Sequence, residues 1–206
     1  MTKRPTTRRL SRRFFRRDAA TLARALLGQR LVSTVGGVRT AGAVVETEAY
    51  LGVHDKAAHT YGGRRSARNA TMWGHGGHAY VYFVYGMHHC VNAVAGSAEE
   101  PMAVLIRALQ PDEGLSEMYT RRQRAHDDTD LCSGPAKLCQ ALGITRRLDG
   151  VDLTGPGELC IERRLDRPLP ETSVSVGPRV GIGYAEEWQG KPLRFFVRGN
   201  PHVSRG

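Results

Sequence analysis

Strand-like runs that follow one another without an intervening helix limit this chain more than any other feature. Residues 79–85, 91–95 and 103–109 are rich in β-branched and aromatic residues and are read as successive strands. Residues 31–33 and 38–50 have the same character on either side of a Gly36-Gly37 turn, and further strands are expected near residues 159–162 and 193–198. Helices are fewer. Asp18 is a candidate cap for a short helix with Leu22, Leu26 and Leu27 inside and Gly28 as its stop. A second is expected over residues 114–123. A third runs to Leu142, with Ser133 as its cap, Pro135 in its first turn and Gly143 at its end. Mostly adjacent strands with a few helices imply an α+β fold: a single domain with a largely antiparallel, curved β-sheet and flanking helices.

At 206 residues, one domain over residues 18–206 can bury its own core. Residues 1–17 carry Lys3, Arg4, Arg8, Arg9, Arg12, Arg13, Arg16 and Arg17 before the first acid, and are read as a basic, flexible N-terminal arm, either simply solvated or phosphate-seeking. The formal net charge of +10 favours a polyanionic partner, though charge alone does not separate DNA, RNA and an anionic membrane. Cys90, Cys132, Cys139 and Cys160 form no CxxC pair and read as free core thiols of a reducing compartment. No apolar run approaches the ~18 residues of a membrane helix, and no hydrophobic stretch follows the basic start as in a secretory signal. A cytoplasmic location is expected, at the nucleoid in a bacterium. Residues 54–77 are polar, glycine-rich and without period, a long loop of the kind that carries function. Residues 124–130 are charged and expected to be mobile.

The chemistry concentrates between Glu46 and Asn92. On a strand, Glu46, Glu48 and Tyr50 share a face, as do Tyr80 and Tyr82, while Tyr85 has the opposite parity and points elsewhere. A carboxylate activates water and tyrosine faces stack on flat rings. With surplus cations for phosphates, the set suggests an enzyme that handles a base of a nucleic acid. Arg64, Arg65 and Arg68 in the long loop are candidate phosphate contacts, as is Lys137 in SGPAK at a helix start. The histidines at 54, 59, 75, 78, 88 and 89 show no HExxH or comparable ligand frame, so no metal is expected. The GxxxxGK[ST] phosphate loop and GxSxG are both absent, and no cofactor is called for.

VVETEAYLG, AAHTYGG, RNATMW, YVYFVYGMHHCVN, LIRALQP, LCSGPAKLCQALGI and KPLRFFVRG resemble the alkyladenine (3-methyladenine) DNA glycosylase family, the vertebrate-type enzyme with bacterial members. The resemblance spans residues 22–204 with the motifs in family order. It implies hydrolysis of the N-glycosidic bond of damaged purines in double-stranded DNA, without metal or cofactor. It implies Glu48 as the general base and Arg107 beside it. Tyr50 and Tyr82 would sandwich the extruded base, with His59 at its edge. Tyr85, followed by Met87, would enter the duplex, and Asn92 would crowd the 2-amino group of guanine. A monomer is expected, with a downstream abasic-site endonuclease as functional partner. Two other readings stand beside this one. One is a metal-dependent nuclease built on Glu46, Glu48 and the loop histidines; the other is a non-catalytic damage or RNA binder stacking bases on Tyr50 and Tyr82. A glycosylase-lyase would need an amine nucleophile, and no lysine lies between Ala57 and Pro101.

Overall fold

The computed structural model describes residues 9–204, and the first eight residues of the expected arm lie outside them. Five α-helices (α1 Arg12–Phe15, α2 Ala19–Leu26, α3 Leu115–Arg121, α4 Asp128–Leu131, α5 Pro135–Leu142) flank an eight-stranded antiparallel sheet. The strands are β1 Arg30–Ser33, β2 Thr40–Tyr50, β3 Ala79–Val84, β4 His88–Ala95, β5 Met102–Glu113, β6 Leu159–Glu162, β7 Val174–Gly177 and β8 Arg194–Val197. The main path runs β3-β4-β5-β2-β1-β6, and β8 joins β2 to β7. The α+β class and the antiparallel sheet expected from the sequence are what the chain adopts.

Strand β2 organises the sheet. One edge pairs with β5 along its length; the other pairs first with β1 and then, from Glu46 to Glu48, with β8. Both faces are covered, so every residue from Thr40 to Ala49 is buried and strand alternation is muted. Helix α2, with Leu22 and Leu26 fully buried, packs on β2, and Asp18 accepts a hydrogen bond from the Thr21 N–H at 2.9 Å. Helix α5 packs on β4, and the Ser33 hydroxyl holds its last turn by donating to the Leu142 carbonyl at 2.8 Å.

Several expectations need correction. The arm expected over residues 1–17 is part of the fold from residue 9 onward. Leu10, Phe14 and Phe15 are buried, and Arg12 binds Asp152 at 2.7 Å. Apolar burial outweighs the local charge there. Part of the segment expected to be mobile is helical: α4 starts at Asp128, with the Asp127 carboxylate accepting from the Asp130 N–H at 2.9 Å. Helix α5 starts from Gly134 with no side-chain cap, so Ser133 does not serve as one. Strand β7, paired with β8, was not expected.

Candidate active site

A double irregularity in the β2–β5 ladder builds the charged centre. Glu46 pairs with Ala108 and Thr47 with Ile106, leaving Arg107 as an extra residue on β5. A bulge of this kind re-aims the side chain it carries. Arg107 Nε donates to Glu46 Oε1 at 2.9 Å, and Nη1 lies 3.3 Å from Glu48 Oε1. Glu46 also accepts from Arg194 Nε at 2.6 Å and from the Ser204 N–H and hydroxyl at 2.8 and 2.9 Å. Its lone pairs are spent on protein donors, which makes it a structural anchor.

Glu48 has no solvent exposure. Its Oε1 accepts from the Val180 N–H at 2.7 Å, and its Oε2 from the Tyr50 hydroxyl at 3.0 Å. Burial raises its pKa, and the Arg107 charge, the Val180 N–H and the Tyr50 hydroxyl pull it down without cancelling that rise. The lowering by Arg107 is therefore present but outweighed by desolvation.

Tyr50 links this carboxylate to a small cavity, which Tyr50, His59, Tyr80, Tyr82 and Asn92 line. Sheet register explains the grouping: Glu48 opposes Leu105, Leu105 opposes Asn92, and Asn92 opposes Tyr80, one row across three ladders. Tyr80 and Tyr82 stack with centroids 5.4 Å apart, and the His59 ring stands edge-on to Tyr82 at 4.6 Å. His59 Nδ1 lies 2.8 Å from the Tyr80 hydroxyl oxygen. Burial, helped by the Arg68 charge, lowers the His59 pKa and so favours the neutral ring. Asn92 is buried and donates to the Tyr80 carbonyl at 3.1 Å.

Tyr85 stands at the tip of the β3–β4 hairpin, 83% exposed, with Met87 67% exposed beside it. The Met87 N–H returns to the Val84 carbonyl at 3.3 Å, and both central residues are left-handed, with φ of 53° at Tyr85 and 69° at Gly86. Such a turn follows the hairpin's twist, but a tyrosine there is strained. An exposed aromatic held in a strained turn points to a task at that position.

The predicted phosphate contacts do not gather as one group. Arg68 donates to the Phe83 carbonyl at 3.2 Å, beneath the hairpin, with its guanidinium 5.9 Å from the Tyr82 ring centroid. Arg65 pairs with Glu99 at 2.8 Å and lies over Trp73, and Arg64 is exposed. Lys137, on α5, is bound by Asp130 and lines a separate cleft with Asp127 and His126.

Sequence reasoning missed the irregular segment between β7 and β8. It supplies the Val180 N–H to Glu48 and, in Tyr184, an exposed rim to the aromatic cavity. It also supplies Arg179, paired with Asp55 beneath Tyr50. Glycines and the lack of any period were its only marks. Among the described residues, no group of three or more His, Cys, Asp or Glu is placed to hold a metal ion. No helix among them is long and apolar enough to cross a membrane.

A buried carboxylate hydrogen-bonded to a tyrosine of an aromatic cavity is an arrangement that can hold a flat ring beside a proton acceptor. Residues 13–201 match the family model for methylpurine-DNA glycosylase, and the chain belongs to that family. It is thereby a DNA glycosylase, a hydrolase of N-glycosyl bonds that serves DNA repair. Its relatives include a Bacillus cereus (strain AH187) protein named "Putative 3-methyladenine DNA glycosylase", 45% identical over 93% of this chain and 97% of the relative. A protein of the same name from Bacillus anthracis (strain CDC 684 / NRRL 3495) is 44% identical over the same shares.

Proposed function

We propose that this enzyme flips alkylated purines, 3-methyladenine and related lesions, out of duplex DNA and hydrolyses their N-glycosidic bond with water activated by Glu48. The observation that carries this reading is the hydrogen bond from the Tyr50 hydroxyl to the buried Glu48 carboxylate, which joins the aromatic cavity to a base. A glycosylase cannot reach its bond inside the stack, so it extrudes the nucleotide at a cost of a few kcal/mol. Stacking on Tyr50 and on the Tyr82–His59 wall returns ~1–3 kcal/mol. Tyr85 enters the space the nucleotide leaves and keeps it from closing.

In the chemical step, Glu48 takes a proton from water as its oxygen bonds to the sugar C1′. The electron pair of the glycosidic bond departs with the base, leaving an abasic site. N-alkylation makes the purine cationic, which strengthens its attraction to tyrosine faces and lets it leave neutral. A positioned general base contributes typically ~10²–10⁴-fold. Arg107 holds the carboxylate pair in place, and Asn92 narrows the pocket against the guanine 2-amino group. The enzyme acts as a monomer in the cytoplasm, without an amine nucleophile, so strands stay intact until alkali or an abasic-site endonuclease acts.

The test is release of free base from methylated duplex DNA, in chelator, by wild type and Glu48→Gln. Free methylpurine from the wild type alone is expected, with both proteins binding the DNA. Normal excision by the variant would overturn the assignment of Glu48, and tight binding without base release by either protein would leave a damage-binding protein instead.

A further inference from the structure

Behind Tyr50 lies an ion pair whose two side chains have no solvent exposure. Arg179 Nη1 and Nη2 reach the Asp55 carboxylate at 2.6 and 2.9 Å. Such a pair is often no more stable than apolar residues of the same volume, because both charges lose their water. What it holds in place is specific. Arg179 Nη1 also donates to the carbonyl of Ala49 at 2.9 Å, and Asp55 Oδ2 accepts from the Leu51 N–H at 3.0 Å. The backbone on both sides of Tyr50 is therefore tied to one pair, and the guanidinium carbon lies 4.7 Å from the Tyr50 ring centroid. Asp55 Oδ1 further accepts from the N–H of Ala57, a residue of the cavity wall, at 3.0 Å. The same pair reaches the carboxylate, since the residue after Arg179 is Val180, whose N–H donates to Glu48.

We propose that Arg179 and Asp55 are positioning residues that set the stacking plane of Tyr50 and the backbone donor on Glu48 together. One buried element then aligns base capture with water activation. This rests on the reading of Tyr50 as a stacking face and Glu48 as the base.

The consequences are separable from stability. Glu48 is faced by Arg107 from β5, by Glu46 and Tyr50 from its own strand, and by Val180 from the segment that Arg179 anchors. Arg194 opposes it on β8, and Tyr82 and Cys90 lie near it from the β3–β4 hairpin. Tyr184, from the same segment as Val180, also lies near Glu48. Of all these groups, the Val180 donor and Tyr50 are the two that Arg179 holds. If that donor drifts, burial of Glu48 is less opposed and the carboxyl holds its proton to higher pH.

The experiment measures single-turnover excision against pH for the full chain carrying Arg179→Lys or Asp55→Asn. The probe is a duplex with one ethenoadenine, whose fluorescence is quenched when the base stacks. In both variants the neutral-pH rate is expected to fall about 10–100-fold, the scale of a misplaced catalytic geometry. The acidic limb should move to higher pH and the fluorescence of the bound complex should differ from that of the wild-type complex, with Arg179→Lys still bound to DNA. Loss of thermal stability with rate, limb and fluorescence unchanged would overturn the proposal. So would a lower rate with both other readouts unmoved, or failure of both variants to fold, which assigns the pair to stability alone. Glu48→Gln run alongside keeps the two readings apart: if it excises normally, the base assignment fails whatever the pair does.

Discussion

Glu48, the proposed base, is held where a charge is expensive. Arg107, Val180 and Tyr50 favour its ionised form, yet burial leaves its pKa above the ordinary glutamate value. A base works only when deprotonated, so excision should be present above that raised pKa and lost as pH falls through it. The acidic limb of the single-turnover rate is thus expected above pH 4.5, the unperturbed position; a limb at or below it would mean that Glu48 is not the titrating base. At this scale the sequence was partly legible, because strand parity put Glu46, Glu48 and Tyr50 on one face, while Tyr85 stands apart because it lies in the turn beyond β3 rather than through its parity. It was not legible for Arg179, Asp55 and Tyr184. They sit in irregular backbone, where no period marks a face, and their partners lie more than a hundred residues away along the chain.

At the scale of elements, the β3–β4 hairpin separates stability from function. Tyr85 sits in the left-handed region that disfavours any residue but glycine, asparagine or aspartate, at a cost of roughly 1–2 kcal/mol. Its ring contributes little to packing, being 83% exposed. Tyr85→Asn should therefore raise the melting temperature slightly while lowering excision about tenfold, the loss of a wedge worth ~1–3 kcal/mol. Calorimetry and single-turnover kinetics on the same preparation check both signs, and a variant that loses stability and keeps activity would contradict the reading of the tip. The strands of this hairpin were legible from their β-branched and aromatic residues. The bulge that turns Arg107 toward Glu46 and Glu48 was not, since it arises from the pairing of β2 with β5 rather than from either strand alone. Helix α1 was hidden for another reason: Arg12, Arg13, Arg16 and Arg17 surround Phe14 and Phe15, and local charge masked two core residues.

For the whole molecule, the net charge of +10 raises the question of which N-terminal cations meet DNA. Those from Arg9 onward belong to the packed domain, with Phe15 fully buried beneath them. Phe15→Ala should cost about 3–5 kcal/mol, as truncation of a buried aromatic does, and appear as a large fall in melting temperature. Removing residues 1–8 takes away Lys3, Arg4 and Arg8 and leaves every described core residue in the chain. If those cations meet phosphates, each phosphate left without its cation reduces the slope of log binding constant against log salt by about 0.9. The truncated chain should then melt with the full-length protein, bind undamaged duplex more weakly at low salt, and converge with it as salt rises. Excision at saturating enzyme should be unchanged, because no residue of the cavity is removed. An unchanged slope would show that the folded surface alone meets the DNA backbone, while a lower saturating rate would tie the first eight residues to the step in which the base is held.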